Sequence, residues 1–147
     1  MEIERKFLIP VLPEDLKDYP CRRIEQAYLC TEPVVRIRRQ DDEYILTYKS
    51  AGMMAREEYN LPLTKEAYGH LKEKADGIVL SKTRYLIPLP EGLTIELDVF
   101  DTPYETLRLA EVEFSSIEQA EAFVPPAWFG EDVTYSGKYH NSVLSRG

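Results

Sequence analysis

Charged and apolar residues alternate in strand-length segments along most of this chain. In Glu2-Ile3-Glu4-Arg5-Lys6-Phe7, the residues Glu2, Glu4 and Lys6 are interleaved with Ile3, Arg5 and Phe7. A strand repeats every two residues, so Glu2, Glu4 and Lys6 share one face. The pattern returns in Val34-Val35-Arg36-Ile37-Arg38, where Arg36 and Arg38 oppose Val35 and Ile37. Thr47 and Lys49 share a face, as do Lys82 and Arg84. Glu96 and Asp98 oppose Ile95, Leu97 and Val99, and Glu111 and Glu113 oppose Val112 and Phe114. Arg56 and Glu58 follow the same rule.

The signs sort by segment. Positions 36/38, 49 and 82/84 bring cations, 96/98 and 111/113 bring acids, and the first segment brings both. A solvated face usually mixes signs and includes Ser, Thr and Gln. A sheet with one wet face is one reading of the pattern. The other is a closed barrel with the charges inside, which needs water, metal or ligand to compensate them. A basic wall would grip phosphate oxygens and an acidic wall would hold divalent metal, as two-metal phosphoryl sites do.

Eight segments read as strands, at about 2–9, 22–30, 34–40, 43–50, 56–63, 78–88, 92–100 and 107–114. Asp41-Asp42 and Pro90-Glu91-Gly92 read as turns. One helix is expected from an N-cap at Thr64 to a stop at Gly77. A second opens at Ser116, with Gln119 completing a capping box, and a short helical turn lies near 13–18. Many strands and few helices predict a mainly β (α+β) fold, either a barrel or a strongly curved sheet.

The length of 147 residues fits one domain, 1–147, with a single core. A net charge of −8 argues against nucleic acid as a partner but leaves room for a small anion in a local basic pocket. No apolar run approaches membrane-spanning length, and the N-terminus lacks the features of a secretory signal, so a cytoplasmic location is expected. Cys21 and Cys30 are expected to be reduced core fillers. His70 and His140 are expected at the surface or in packing, and Trp128 and Phe129 against the outside of the sheet. Ser115-Ser116 reads as a cap, and no Gly-rich phosphate loop is present.

Taken in order, these motifs resemble the CYTH / triphosphate tunnel metalloenzyme superfamily. Glu2-x-Glu4-x-Lys6 is similar to its N-terminal E-x-E-x-K motif. Arg36-x-Arg38, Lys49, Arg56-x-Glu58, Lys82-x-Arg84, Glu96-x-Asp98 and Glu111-x-Glu113 follow in the expected places. Asp132-Val133-Thr134 and Tyr139-His140-Asn141-Ser142 resemble the family's C-terminal stretch. The resemblance implies an eight-stranded antiparallel closed β-barrel, the triphosphate tunnel, with a few helices outside. It implies triphosphate binding by Lys6, Arg36, Arg38, Lys49, Arg56, Lys82, Arg84 and Lys138. It implies metal binding by Glu2, Glu4, Glu58, Glu96, Asp98, Glu111 and Glu113, with Mg2+ or Mn2+ as the metal. In short bacterial members a tyrosine and a lysine form a dyad that activates water, which here implies Tyr28 and Lys82.

With no added domain and no obvious base or thiazole pocket, the expected activity is hydrolysis of inorganic tripolyphosphate by a monomer or homodimer. A class IV adenylyl cyclase, a thiamine triphosphatase and a polyphosphate-binding module without turnover are the alternatives. The short C-terminal remainder leaves little to cover one tunnel end.

Overall fold

The computed structural model describes residues 1–146. Nine strands form one antiparallel sheet that curls into a nearly closed barrel. They are β1 (Glu2–Leu8), β2 (Cys21–Thr31), β3 (Val34–Gln40), β4 (Glu43–Lys49), β5 (Ala55–Arg56), β6 (Glu58–Pro62), β7 (Asp76–Pro88), β8 (Thr94–Phe100) and β9 (Arg108–Glu113). Their spatial order is β5-β1-β9-β8-β7-β2-β3-β4-β6. The helices are α1 (Lys65–Lys72), α2 (Ile117–Ala122) and α3 (Asn141–Leu144).

The strand expected at 56–63 is divided, which gives nine strands where eight were expected. Its first part pairs with β1, Glu2 opposite Arg56, and its second pairs with β4, Lys49 opposite Glu58. One short segment therefore bridges the two ends of the sheet. It bends at Glu57 because its two halves must satisfy different neighbours.

The turn at Asp41-Asp42 is a two-residue hairpin between Gln40 and Glu43, and Asp41 takes φ 53°, a left-handed conformation Asp tolerates. Thr64 caps α1 by accepting from Ala67 N at 3.0 Å, and Ser116 caps α2 by accepting from Gln119 N at 3.0 Å. The Gln119 side chain reaches back one residue further than a capping box requires, to Ser115. A 3-10 turn at Leu16–Asp18 matches the expected helical turn.

Gly77 does not stop α1, which ends at Lys72. It lies at the start of β7 with φ +73°. A Cβ there would sit 2.1 Å from the Ser145 carbonyl oxygen, so glycine is what lets the C-terminal segment cross this strand. Ile78 N donates to that same oxygen at 2.6 Å.

Apolar side chains cover the outside of the barrel. Ile3, Ile95, Leu97, Val112 and Phe114 are buried beneath α2, Phe123, Trp128 and Phe129. Ala27 and Ile37 lie under Tyr68 and Leu71 of α1. Each fully buried Ile or Leu contributes roughly 1.5–3 kcal/mol. Cys21 is exposed and Cys30 half-buried, so neither fills the core as expected. Cys21 opens β2 at its exposed end.

The inward rows change character along each strand. On β1, Glu2, Glu4 and Lys6 give way to Leu8, and on β8, Glu96 and Asp98 give way to Phe100. On β7, Arg84 and Lys82 precede Leu80 in space, and on β9, Glu113 and Glu111 precede Leu109. Leu80, Phe100 and Leu109 gather with Val133 and with Leu144 of α3 into one buried cluster, joined by Leu8 and Tyr139. One end of the barrel is thus filled by packing, where the short C-terminus had suggested little cover. No helix among the described residues is long and apolar enough to cross a membrane.

Candidate active site

The charged end of the barrel holds a cavity of about 210 Å3. Strand alternation brings most of the expected residues to its wall: Glu2, Glu4 and Lys6 from β1, Arg36 and Arg38 from β3, Lys49 from β4. Arg56, Glu58, Arg84, Glu96, Glu111 and Glu113 complete the set. The opposite face of β1 stays outside, where Arg5 donates to the Ala120 and Phe123 carbonyls and pairs with Asp132.

Many of these charges compensate one another. Lys49 Nζ donates to both oxygens of Glu2 at 2.9 Å and lies 3.2 Å from Glu58. Arg56 lies 3.5 Å from Glu2, and Lys6 lies 3.4 Å from Glu111. Burial pushes Glu2 up against the opposing pull of Lys49. Glu58 resists the upward push of its own burial. Hydrogen bonding with Glu2 and the Lys49 charge bring it down to about 2. Glu111 likewise sits well below the usual carboxylate range, because Lys6, Arg84 and Lys82 outweigh its burial.

Asp98 is shut away from the cavity wall, contrary to its expected place among the metal ligands. Arg84 donates to its two oxygens through Nε and Nη2 at 2.8 and 2.9 Å, and Lys82 Nζ lies 2.7 Å away. Both its oxygens are engaged by cations, and Arg84 and Lys82 hold it below the ordinary carboxylate value despite burial.

Lys82 also lies behind the wall, fully buried, where it donates to Asn141 Oδ1 at 3.2 Å. Burial, reinforced by Arg84 and Arg38 and opposed by Asp98, brings its ammonium down to about 7. Tyr28 does line the cavity, but it sits opposite Arg36 in the β2–β3 ladder, while Lys82 sits opposite Ile24. Among the described residues the two side chains share no hydrogen bond. Lys138 is exposed and lies over the Tyr139 ring, 5.1 Å from its centroid, and it is absent from the cavity wall.

Two pairs remain without an opposite charge among the described residues. Glu4 and Glu113 face each other across the β1–β9 ladder with no ion-pair partner. Burial, with Glu111 and Glu2 nearby, raises Glu4 well above the ordinary value, and burial with Glu2, Glu58 and Glu96 raises Glu113. Arg36 and Arg38, on β3, have no carboxylate partner. Burial and the neighbouring Arg36 and Arg84 lower Arg38 to about 9, so it is still a cation at neutral pH. Among the described residues no three carboxylate, His or Cys side chains are already gathered as a metal cage. The oxygen-only donor set and the raised Glu4 and Glu113 nevertheless fit a hard divalent cation, which would offset the burial and the neighbouring carboxylate charge that raise them.

The expected residues omit several wall positions. Asn60 lies two residues beyond Glu58, on the same face, and accepts from Thr47 Oγ1 at 2.6 Å. Extending the period-two rule by one step would have found it. Gln26 stands two residues before Tyr28 but behind the wall, fully buried, where it accepts from Nε and Nη2 of the wall residue Arg38. His140, Asn141 and Ser142 line the cavity as its floor, whereas His140 had been expected at the surface or in packing. Burial, with Lys6 and Arg56 nearby, lowers His140 to about 4. The Tyr139 carbonyl accepts from Lys6 Nζ at 3.4 Å. No local periodicity marks this segment, because long-range packing places it.

Known proteins match this arrangement. The CYTH domain model matches residues 1–132. An inorganic triphosphatase of Nitrosomonas europaea is 42% identical, with 98% of this chain and 96% of the relative aligned. An inorganic triphosphatase of Acetivibrio thermocellus is 33% identical over 97% of this chain and 92% of its own. The crystal structure of an inorganic triphosphatase superposes with a TM-score of 0.73 at 38% identity, covering 100% of this chain and 95% of the other. Inward-facing acids and bases in one barrel, matched by sequence along nearly the whole chain, make this protein a member of the CYTH domain family.

Proposed function

We propose that this protein is a metal-dependent inorganic triphosphatase that hydrolyses tripolyphosphate to pyrophosphate and phosphate as a single domain. The observation that carries the reading is the separation of uncompensated charge in one cavity, with Glu4 and Glu113 on one wall and Arg36 and Arg38 on another. The two relatives described as inorganic triphosphatases support the choice of substrate.

Arg36 and Arg38 would hold phosphate oxygens by charge-assisted hydrogen bonds, with Lys6, Lys49, Arg56 and Arg84 adding field from the paired belt. Glu4 and Glu113, with Glu2, Glu58, Glu96 and Glu111 nearby, would hold Mg2+ or Mn2+. When bound, such a metal neutralises phosphoryl oxygens and lowers the pKa of bound water. The side chains hold the chain of phosphates in line and keep its charges matched along the cavity wall. Asp98 and Lys82 stiffen the wall from behind.

The test is a phosphate-release panel with tripolyphosphate, thiamine triphosphate and ATP, each with Mg2+, Mn2+ or EDTA. Expected are release of one phosphate per tripolyphosphate, slower turnover of the other two, and no turnover in EDTA. Cyclic AMP formed from ATP would overturn the reading in favour of a cyclase. Tight binding with no product would favour a polyphosphate-binding module.

A further inference from the structure

Two arginines in this barrel are held by the same pair of atoms but by different acceptors. Arg84 donates from Nε and Nη2 to Asp98 at 2.8 and 2.9 Å, and from Nη1 to Glu96 at 3.1 Å. Arg38 donates from Nε and Nη2 to one atom, Gln26 Oε1, at 3.0 and 2.7 Å. The geometry is similar, yet Asp98 cancels the charge it fixes and Gln26 does not.

The amide has a disadvantage that the carboxylate lacks. Only its oxygen can accept from a guanidinium, so the amide orientation is set, and Nε2 must donate elsewhere. Among the described residues Nε2 has no partner, and Gln26 is fully buried. A buried donor left unpaired is destabilising. A glutamate of the same length would accept both Arg38 bonds and leave no orphan donor. On stability alone this position favours Glu.

We propose that Gln26 is a positioning residue for phosphate binding, an uncharged acceptor that aims the Arg38 guanidinium at the cavity while leaving its positive charge uncompensated. This rests on the triphosphatase reading above and specifies how its phosphate grip stays charged. Gln26 lies opposite Arg38 in the β2–β3 ladder, and Tyr28 lies opposite Arg36. The Arg36 Nε is a second buried donor without an acceptor among the described residues. One short stretch of β2 and β3 therefore combines two cations, two orphan donors and no carboxylate partner, the composition of a surface that awaits an anion. The rest of the basic belt differs: Lys6, Lys49, Arg56 and Arg84 each carry a carboxylate partner.

The experiment compares wild type, Gln26→Glu and Gln26→Met. Thermal denaturation is read without ligand, and tripolyphosphate binding is read by calorimetry in EDTA, so that turnover and metal binding play no part. For Gln26→Glu we expect a Tm about 2–4 °C higher. We also expect tripolyphosphate affinity to be at least about tenfold weaker, since a carboxylate then competes for Arg38. Gln26→Met, which keeps the length but accepts nothing, should lose stability and only about threefold in affinity. With metal present, Gln26→Glu should raise KM far more than it lowers kcat.

Unchanged affinity in Gln26→Glu, or a larger loss in Gln26→Met than in Gln26→Glu, overturns the proposal, because shape and hydrogen bonding alone would then explain the residue. A Gln26→Glu protein that melts lower than wild type, or does not fold, also overturns it. A folded wild type with no affinity for tripolyphosphate either in EDTA or with metal removes the triphosphatase reading itself, a distinct result that takes this proposal with it.

Discussion

Asp98 lies between Arg84 and Lys82, 2.8 Å from Arg84 Nε and 2.7 Å from Lys82 Nζ, and is almost wholly buried. Among the described residues it is the one carboxylate within ion-pair distance of both buried cations. Asp98→Asn keeps its shape and removes its charge, which leaves two cations to repel each other. Stability should fall by about 3–5 kcal/mol, the usual cost of breaking a buried pair from one side. Chemical denaturation measures this. A variant as stable as wild type but deficient in metal affinity would return Asp98 to the metal site.

Glu4→Gln should separate stability from activity in the opposite sense. Burial with Glu111 and Glu2 nearby raises the Glu4 pKa in the folded protein, so its contribution is favourable at low pH and is lost as pH rises through the folded value. At neutral pH the neutral amide should therefore raise Tm in the absence of metal. The same change should abolish most of the thermal stabilisation by Mg2+ or Mn2+ and lower triphosphatase activity by at least about a hundredfold. Melting curves with and without metal check the first outcome, and phosphate release checks the second.

Gly77→Ala should loosen the floor of the cavity. Its Cβ would meet the Ser145 carbonyl at 2.1 Å in a left-handed backbone conformation. A loss of about 2 kcal/mol or more is expected, with faster hydrogen exchange at Ile78 N, which donates to that carbonyl. Mass-resolved exchange over 76–80 and 137–146 reads this directly.

His140 gives the stability a pH slope. Its folded pKa is lowered to about 4 by burial with Lys6 and Arg56 nearby, against 6.5 as the ordinary value. Between those two values the unfolded chain binds more protons than the folded one, so stability rises with pH from about 4 to 6.5 and is level above. Denaturation midpoints over that range should flatten in His140→Gln. Tripolyphosphate entering the cavity should raise the His140 pKa, visible as a shift in its imidazole proton titration by NMR.

How much of this could be read from the residues depends on the range of the cause. The walls were legible because inward and outward positions alternate within each strand, so Arg36 with Arg38 and Glu111 with Glu113 declare a shared face without any tertiary knowledge. The membership of Glu4 and the exclusion of Arg5 follow from the same rule. What the rule does not convey is depth. Lys82 and Asp98 alternate correctly yet lie behind the wall, because their level is set by strand register. The split of 56–63 between two partners, the Gly77 crossing and the floor formed by His140, Asn141 and Ser142 all come from contacts distant in sequence. Lys138 resembled a family position by sequence order alone, and the turn at Gly137–Tyr139 carries it to the exterior.

The packed cluster of Leu80, Phe100, Leu109, Val133 and Leu144 has a kinetic corollary. A chamber stoppered at its base has no way through at that end, so arriving substrate and departing products share the charged end. Pyrophosphate left inside blocks the next visitor, and the pace of emptying becomes a candidate limit on turnover.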